Sequence, residues 1–361
     1  MVCSYRYLLF TVINHLGDET MKHAAILTAL IFAVCILITT GCSLIPQNVA
    51  LNSAQPQYSS TTYDEKNPGH PDFIEPVISD NWFIVEHVGR DLDIVQPMGV
   101  AYCNGKIFVC DTPENKIKVF DTEFNFLYSI GSLGNEVGSF LNPSDIAIYD
   151  GKAYILDSGN NRLQILELDG TPVSSEHLFN FSSSHNEYYS HLAILSPNEI
   201  VFTVQDTGEK AKIYRMSNQE INPIYDTFMG SVYAWDGKTY AINLYEFTKM
   251  SIEETVAESG ENSLLIFDGD KLESQITLPY MYSIADFVID DGQLYVLSYL
   301  WNRLDHFDLQ GNYIETLAQF SFDSGKSIDY KSYLAFDKES STFYITADDN
   351  SVIYEVQKKI E

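Results

Sequence analysis

Three side chains far apart in this sequence could share one chemistry: Asp145, His191 and Asp286. Carboxylates and imidazole are common ligands of divalent cations, and the same groups move protons. One rule places them. Counting six residues back from the Gly of a short turn gives Gly99, Asp145, Ser231 and Asp286. Two units lack that Gly, and alignment of their apolar runs adds His191 and Tyr333. Residues that recur at one position of a repeated unit meet only if the units surround an axis. The repeat must therefore be established first.

Residues 97–131 and 143–169 are near copies at an offset of 46. Pro97 matches Pro143, Gly105 matches Gly151, Asp111 matches Asp157 and Asn115 matches Asn161. Self-similarity at this period marks a repeat architecture. Within a unit, short apolar runs alternate with turn residues, and Asn104-Gly105 or Asp150-Gly151 joins the first two runs. Such pairs supply the positive φ that a tight hairpin needs. One unit thus reads as four antiparallel strands, a to d, whose sheet needs neighbours on both faces. Further units begin near His191, Ser231, Asp286 and Tyr333. The predicted fold is all-β, a six-bladed β-propeller. The sixth unit has three strands before the chain ends, and Trp82–Val88 has the pattern of its missing strand d. That N-terminal strand is expected to close the ring.

The second unit carries Pro143, Ile146, Ala147, Gly151, Tyr154, Asp157, Asn160, Asn161, Arg162 and Gly170. This pattern resembles NHL repeats, and the chain over residues 81–361 is similar to bacterial six-bladed propeller lipoproteins of that type. The resemblance implies a propeller whose innermost strands surround an axis. It also implies a place for metal on that axis, as in related propeller hydrolases and lyases. Asp145, His191 and Asp286 are the candidate ligands, for Ca²⁺ or another divalent cation. The repeated Asp111 and Asp157 read as braces of the b–c turn, with an Asp157–Arg162 contact, and not as catalytic groups. Asp206 and Asp348 are expected to do the same.

Loop lengths divide the two rims. The a–b and c–d turns are short, as at Asp150-Gly151 and Asp236-Gly237. The b–c and d–a connections on the other rim are long, and the longest spans residues 244–262. Long loops on a rigid scaffold are where binding residues concentrate. The long rim also holds aromatic residues suited to sugar rings, peptide side chains or cations. Tyr299, Trp301, Tyr245 and Tyr282 are the candidates, with Tyr333 on the axial ring. Trp301 is the one expected to be exposed, because Tyr299-Leu300-Trp301 replaces the small loop Ser158-Gly159-Asn160. The 244–262 loop carries five Glu against Lys249 alone, which favours a cationic or metal-bridged ligand.

The formal net charge is −29. That argues against nucleic acid and anionic membrane surfaces as partners, and permits cations or neutral glycans. Met21-Lys22-His23, the apolar run 24–38 and Thr39-Thr40-Gly41-Cys42 read as a secretory signal ending in a lipobox. Cys42 is the expected lipidation site. Residues 1–20 read as an upstream extension, 21–42 as the signal segment and 43–80 as a Pro-punctuated linker. Cys103 and Cys110 fall at positions that do not face each other, so no disulfide is expected.

There is no nucleophile motif, phosphate loop or metal motif. The function expected from sequence is a non-catalytic binding module, lipid-anchored in the bacterial cell envelope outside the cytoplasm. It would take a glycan, peptide or envelope protein on its loop-rich rim. The alternative is a metal-dependent lyase or lactonase with its site on the axis.

Overall fold

The structure is a computed structural model, and it describes residues 76–180, 188–205, 211–226, 228–243, 263–278, 284–299, 301–321, 327–347 and 351–359. Cys42, the signal segment, most of the linker, the 244–262 loop with Tyr245, and Tyr282, Asp206 and Asp348 lie outside these residues.

Six four-stranded antiparallel sheets form the blades of a propeller. Their innermost strands, the a strands, are Pro97–Cys103, Pro143–Tyr149, Tyr188–Ser196, Gly230–Trp235, Ile284–Asp290 and Leu334–Asp337. The a–b hairpins follow from local chemistry. Asn104-Gly105, Asp150-Gly151, Asp236-Gly237 and Asp291-Gly292 all have positive φ at both residues, as a two-residue turn matched to strand twist requires.

Apolar residues of neighbouring blades merge into shared clusters. Ile107 and Val119 of blade one pack with Ile146 and Ile155 of blade two and with Tyr344 and Ile353 of blade six. A hydroxyl near the end of strand b reinforces this stacking in four blades. Thr112, Ser158, Thr203 and Thr346 each donate to a carbonyl near the start of the next blade's strand a: Pro143, Tyr189, Gly230 and Met98.

The ring closes as expected. Trp82–Val88 pairs antiparallel with Val352–Lys358, in register from Trp82–Lys358 to Val88–Val352. The segment just before it adds a short parallel bridge, Ile78 to Thr316, on the edge of blade five. The expected braces are also present. Asp157 accepts from Leu141 N, Asn160, Arg162 and Gln164. Asp111 accepts from Val95 N and Gln96 N and pairs with Lys118 at 3.1 Å. Cys103 and Cys110 are free thiols.

Candidate functional site

The a strands do not start regularly. Pairing slips between Pro143 and Asp145, between Tyr189 and Leu192, and between Ile284 and Asp286. A bulge re-aims the residue beside it, and bulges concentrate next to functional sites. Here the re-aimed residues are Asp145, His191 and Asp286. All three line one axial cavity of about 310 Å³. Counting back from the hairpin Gly thus located the two Asp, and alignment of the apolar runs located His191. The bulge that turns them inward left no signal in the spacing.

The two carboxylates are held by backbone amides. Asp145 accepts from Ile146 N at 2.7 Å and from Leu192 N of blade three at 2.8 Å. Asp286 accepts from Phe287 N and from Leu334 N of blade six, each at 2.8 Å, and from Ser231 Oγ at 2.5 Å. Each Asp therefore ties its own blade to the next. Gly99 completes the ring without a side chain because Asp145 occupies that space; a Cβ there would lie 2.6 Å from Asp145 Oδ1.

His191 differs. It is 5% exposed, and its Nδ1 lies 3.7 Å from Asp286 Oδ1, beyond hydrogen-bond reach. Among the described residues no hydrogen bond reaches its ring. The ring lines the cavity, where water or a ligand can meet its nitrogens. Burial lowers its pKa to about 3, so it is neutral near pH 7. Burial also raises the Asp286 carboxyl to about 7, against the hydrogen bonds that favour its charge. Asp145 is pushed well above the usual range, first by burial and then by the charge of Asp286.

Tyr333 closes this end. Its ring lies 4.8 Å from that of His191, and its hydroxyl crosses from blade six to donate to Ser190 O of blade three at 2.8 Å. Blades three and six face each other across the axis, so this bond spans it. Burial then relaxes along the a strands toward the a–b turns, as Tyr102, Ile148, Tyr149, Tyr233 and Ala234 show. The cavity opens on the hairpin rim. The ring of Asp145, His191 and Asp286 lies deep on the axis. It is the floor of a cavity entered from the short-turn rim. The mouth is walled by Tyr102, Tyr149, Tyr233 and Phe336, with Asp150, Asp236 and Asp291 exposed in the turns around it. Burial and the nearby Asp290 and Asp286 raise the Tyr233 hydroxyl to about 12.

The aromatic candidates of the loop-rich rim fare differently. Trp301 is 1% exposed and packs with Leu278, Ile284 and Phe307 between blades four and five. Its expected exposure is overturned, because the larger ring fills the seam instead of projecting from it. Tyr299 is half-buried against the cluster shared by blades five and six. Tyr333 is 2% exposed and its hydroxyl donates to Ser190 O across the axis. Phe140, also on that rim, is fully buried over Gly131. Among the described residues no group of three or more His, Cys, Asp or Glu is arranged to hold a metal ion. Asp145, His191 and Asp286 share a cavity without forming a chelating set.

A family model described as a 6-bladed β-propeller matches residues 88–248. No curated protein matches the sequence significantly. Among solved structures, the chain is similar to regucalcin, a calcium-binding protein of Agrobacterium tumefaciens, at 14% identity and a TM-score of 0.51 over 74% of this chain and 93% of that one. It is similar to a luciferin-regenerating enzyme at 13% identity and 0.53, over 76% and 95%. It is also similar to a Bacteroides thetaiotaomicron protein of unknown function at 11% and 0.52, over 74% and 70%. Likenesses at these identities carry the fold alone.

Proposed function

We propose that the protein is a lipid-anchored, NHL-type envelope propeller that binds a small ligand in its axial cavity, entered from the hairpin rim. The observation that carries this reading is the His191 ring, buried, without a hydrogen-bond partner among the described residues and facing a cavity of about 310 Å³. That volume lies at the lower end for small-molecule sites, which typically combine an apolar wall with a few convergent polar groups. The wall here is aromatic and the polar groups are on the floor. The binding surface thereby moves from the loop-rich rim to the axis, where the alternative sequence reading placed it.

The test is a thermal-shift screen of small molecules against the wild type and Ala234→Trp. Ala234 lines the mouth and is half-buried beside the cluster shared by blades three and four, so an indole there obstructs entry, and the variant's unliganded melting temperature is compared with the wild type's to show that the fold survives. Ligands that stabilise the wild type should lose their effect in Ala234→Trp. Undiminished stabilisation would place the site elsewhere. The anchor is tested separately: Cys42→Ser should release the protein from the membrane fraction, and unchanged fractionation would refute lipidation.

A second reading, catalysis on the axis, is favoured by one observation. Asp286, with its carboxyl raised to about 7, lies 3.7 Å from the neutral His191 in a desolvated cavity. An acid poised there suits proton transfer near neutral pH, while the neutral His191 can accept a hydrogen bond from a substrate. The likeness to a luciferin-regenerating enzyme is consistent with this reading through the fold only. The metal-dependent form of the reading has no chelating set to support it among the described residues.

A further inference from the structure

The cavity floor holds two acids, and among the described residues no Lys or Arg lines the cavity. Resting on the axial reading above, we infer that the ligand is an organic cation, a primary ammonium group on an aromatic or aliphatic body, seated with its charge between Asp145 and Asp286.

The geometry supports this in three ways. First, the carboxylates retain capacity to accept. A carboxylate offers about four lone-pair sites. Asp145 uses two and Asp286 three in the hydrogen bonds described above. The open sites match the three N–H donors of an ammonium group. His191 adds a neutral ring whose nitrogen can accept as well. Second, the floor lacks a counter-charge. Asp145 has no ion-pair partner among the described residues, and Asp286 has only the neutral His191. Burying two such acids together is costly, and a cation between them relieves that cost. An anionic ligand would add to the repulsion. Third, the walls suit the rest of such a molecule. Tyr102, Tyr149, Tyr233 and Phe336 present apolar ring surface, and ring faces also attract cations in transit. The exposed Asp150, Asp236 and Asp291 lie in the turns around the entrance, interspersed with Lys106, Lys152 and Lys238 at the starts of the b strands, so the charge that selects a cation is the pair of acids on the floor. A bare divalent ion fits less well. It needs six or more oxygen ligands for calcium, and the carboxylates that would supply them are fixed on blade-linking amides.

The test compares three isosteres by calorimetry on the full propeller: phenethylamine, 2-phenylethanol and phenylacetate. Salt is kept at ~0.15 M, where exposed charges are screened beyond about 8 Å. Phenethylamine should bind at least tenfold more tightly than the alcohol, and phenylacetate should show no binding. Asp145→Asn and Asp286→Asn should each remove the advantage of the amine, while Asp150→Asn on the rim leaves most of it. The wild-type comparison stands even if a floor variant does not fold. Equal binding of amine and alcohol, both lost in Ala234→Trp, would overturn the cation inference and leave the axial site standing. Amine binding that persists in Ala234→Trp would mean adsorption to the acidic surface and would overturn both. Displacement of the amine by micromolar calcium chloride would show an inorganic cation site and overturn the organic one.

Discussion

Asp286 and His191 pull stability in opposite directions as pH changes. The Asp286 carboxyl is raised from 3.8 to about 7, so the folded chain holds a proton that the unfolded chain has lost. Its contribution is full below about pH 4 and declines as pH rises toward 7. His191 is lowered from 6.5 to about 3, so its contribution is full above pH 6.5 and is lost as pH falls toward 3. The two slopes oppose each other over most of this range. Asp286→Asn removes one of them. Its melting temperature should therefore gain on that of the wild type as pH rises from about 4 to 7. His191→Gln should do the reverse, losing ground over the same interval. Parallel curves for all three proteins would show that neither group titrates in the cavity. At this scale the sequence was partly legible. Asp145 and Asp286 could be found because the hairpin Gly fixes a register, and His191 because its apolar run aligns with theirs. Their depth could not, because it depends on bulges and on Tyr333 reaching across from the opposite blade.

The strand Trp82–Val88 shows what one element contributes. It pairs along its full length with Val352–Lys358, and Trp82 packs against the cluster containing Phe343. A backbone hydrogen bond contributes about 1 kcal/mol net, and an apolar side chain about 1.5–3 kcal/mol when fully buried. Losing the strand also exposes the edge and face of a core blade. A chain starting at Asp91 should melt on the order of 10 °C below one starting at Pro76, since each kcal/mol shifts a domain of this size by about 2–4 °C. The chain starting at Pro76 should melt close to one starting at Cys42. Equal melting of the Asp91 and Pro76 chains would remove the closing role of the strand. This element was legible because its pattern matches the d strand Phe126–Ile130. Trp301 was misjudged for a complementary reason. Its neighbours in the chain suggested an exposed loop, whereas its burial is set by Leu278 and Ile284, which belong to the seam with the preceding blade.

The whole molecule has one rim of short turns and one of long loops, and sequence length alone favoured the second. Loop length reports freedom to vary, but it does not show where the axis is open. The Tyr333 to Ser190 bond closes the axis toward the loop-rich rim, and the a–b turns leave it open on the other side. The acidic balance of the chain, −29, favours cations over anions as ligands. The central claim is that a ligand enters through the hairpin rim and rests on the floor formed by Asp145, His191 and Asp286. The most direct measurement is a crystal structure of the propeller with the strongest stabiliser from the thermal-shift screen. The predicted result is ligand density inside the axial cavity, within hydrogen-bond distance of the His191 ring and beside Tyr233. Density among the long loops near Tyr299, with the axial cavity empty, would contradict the claim.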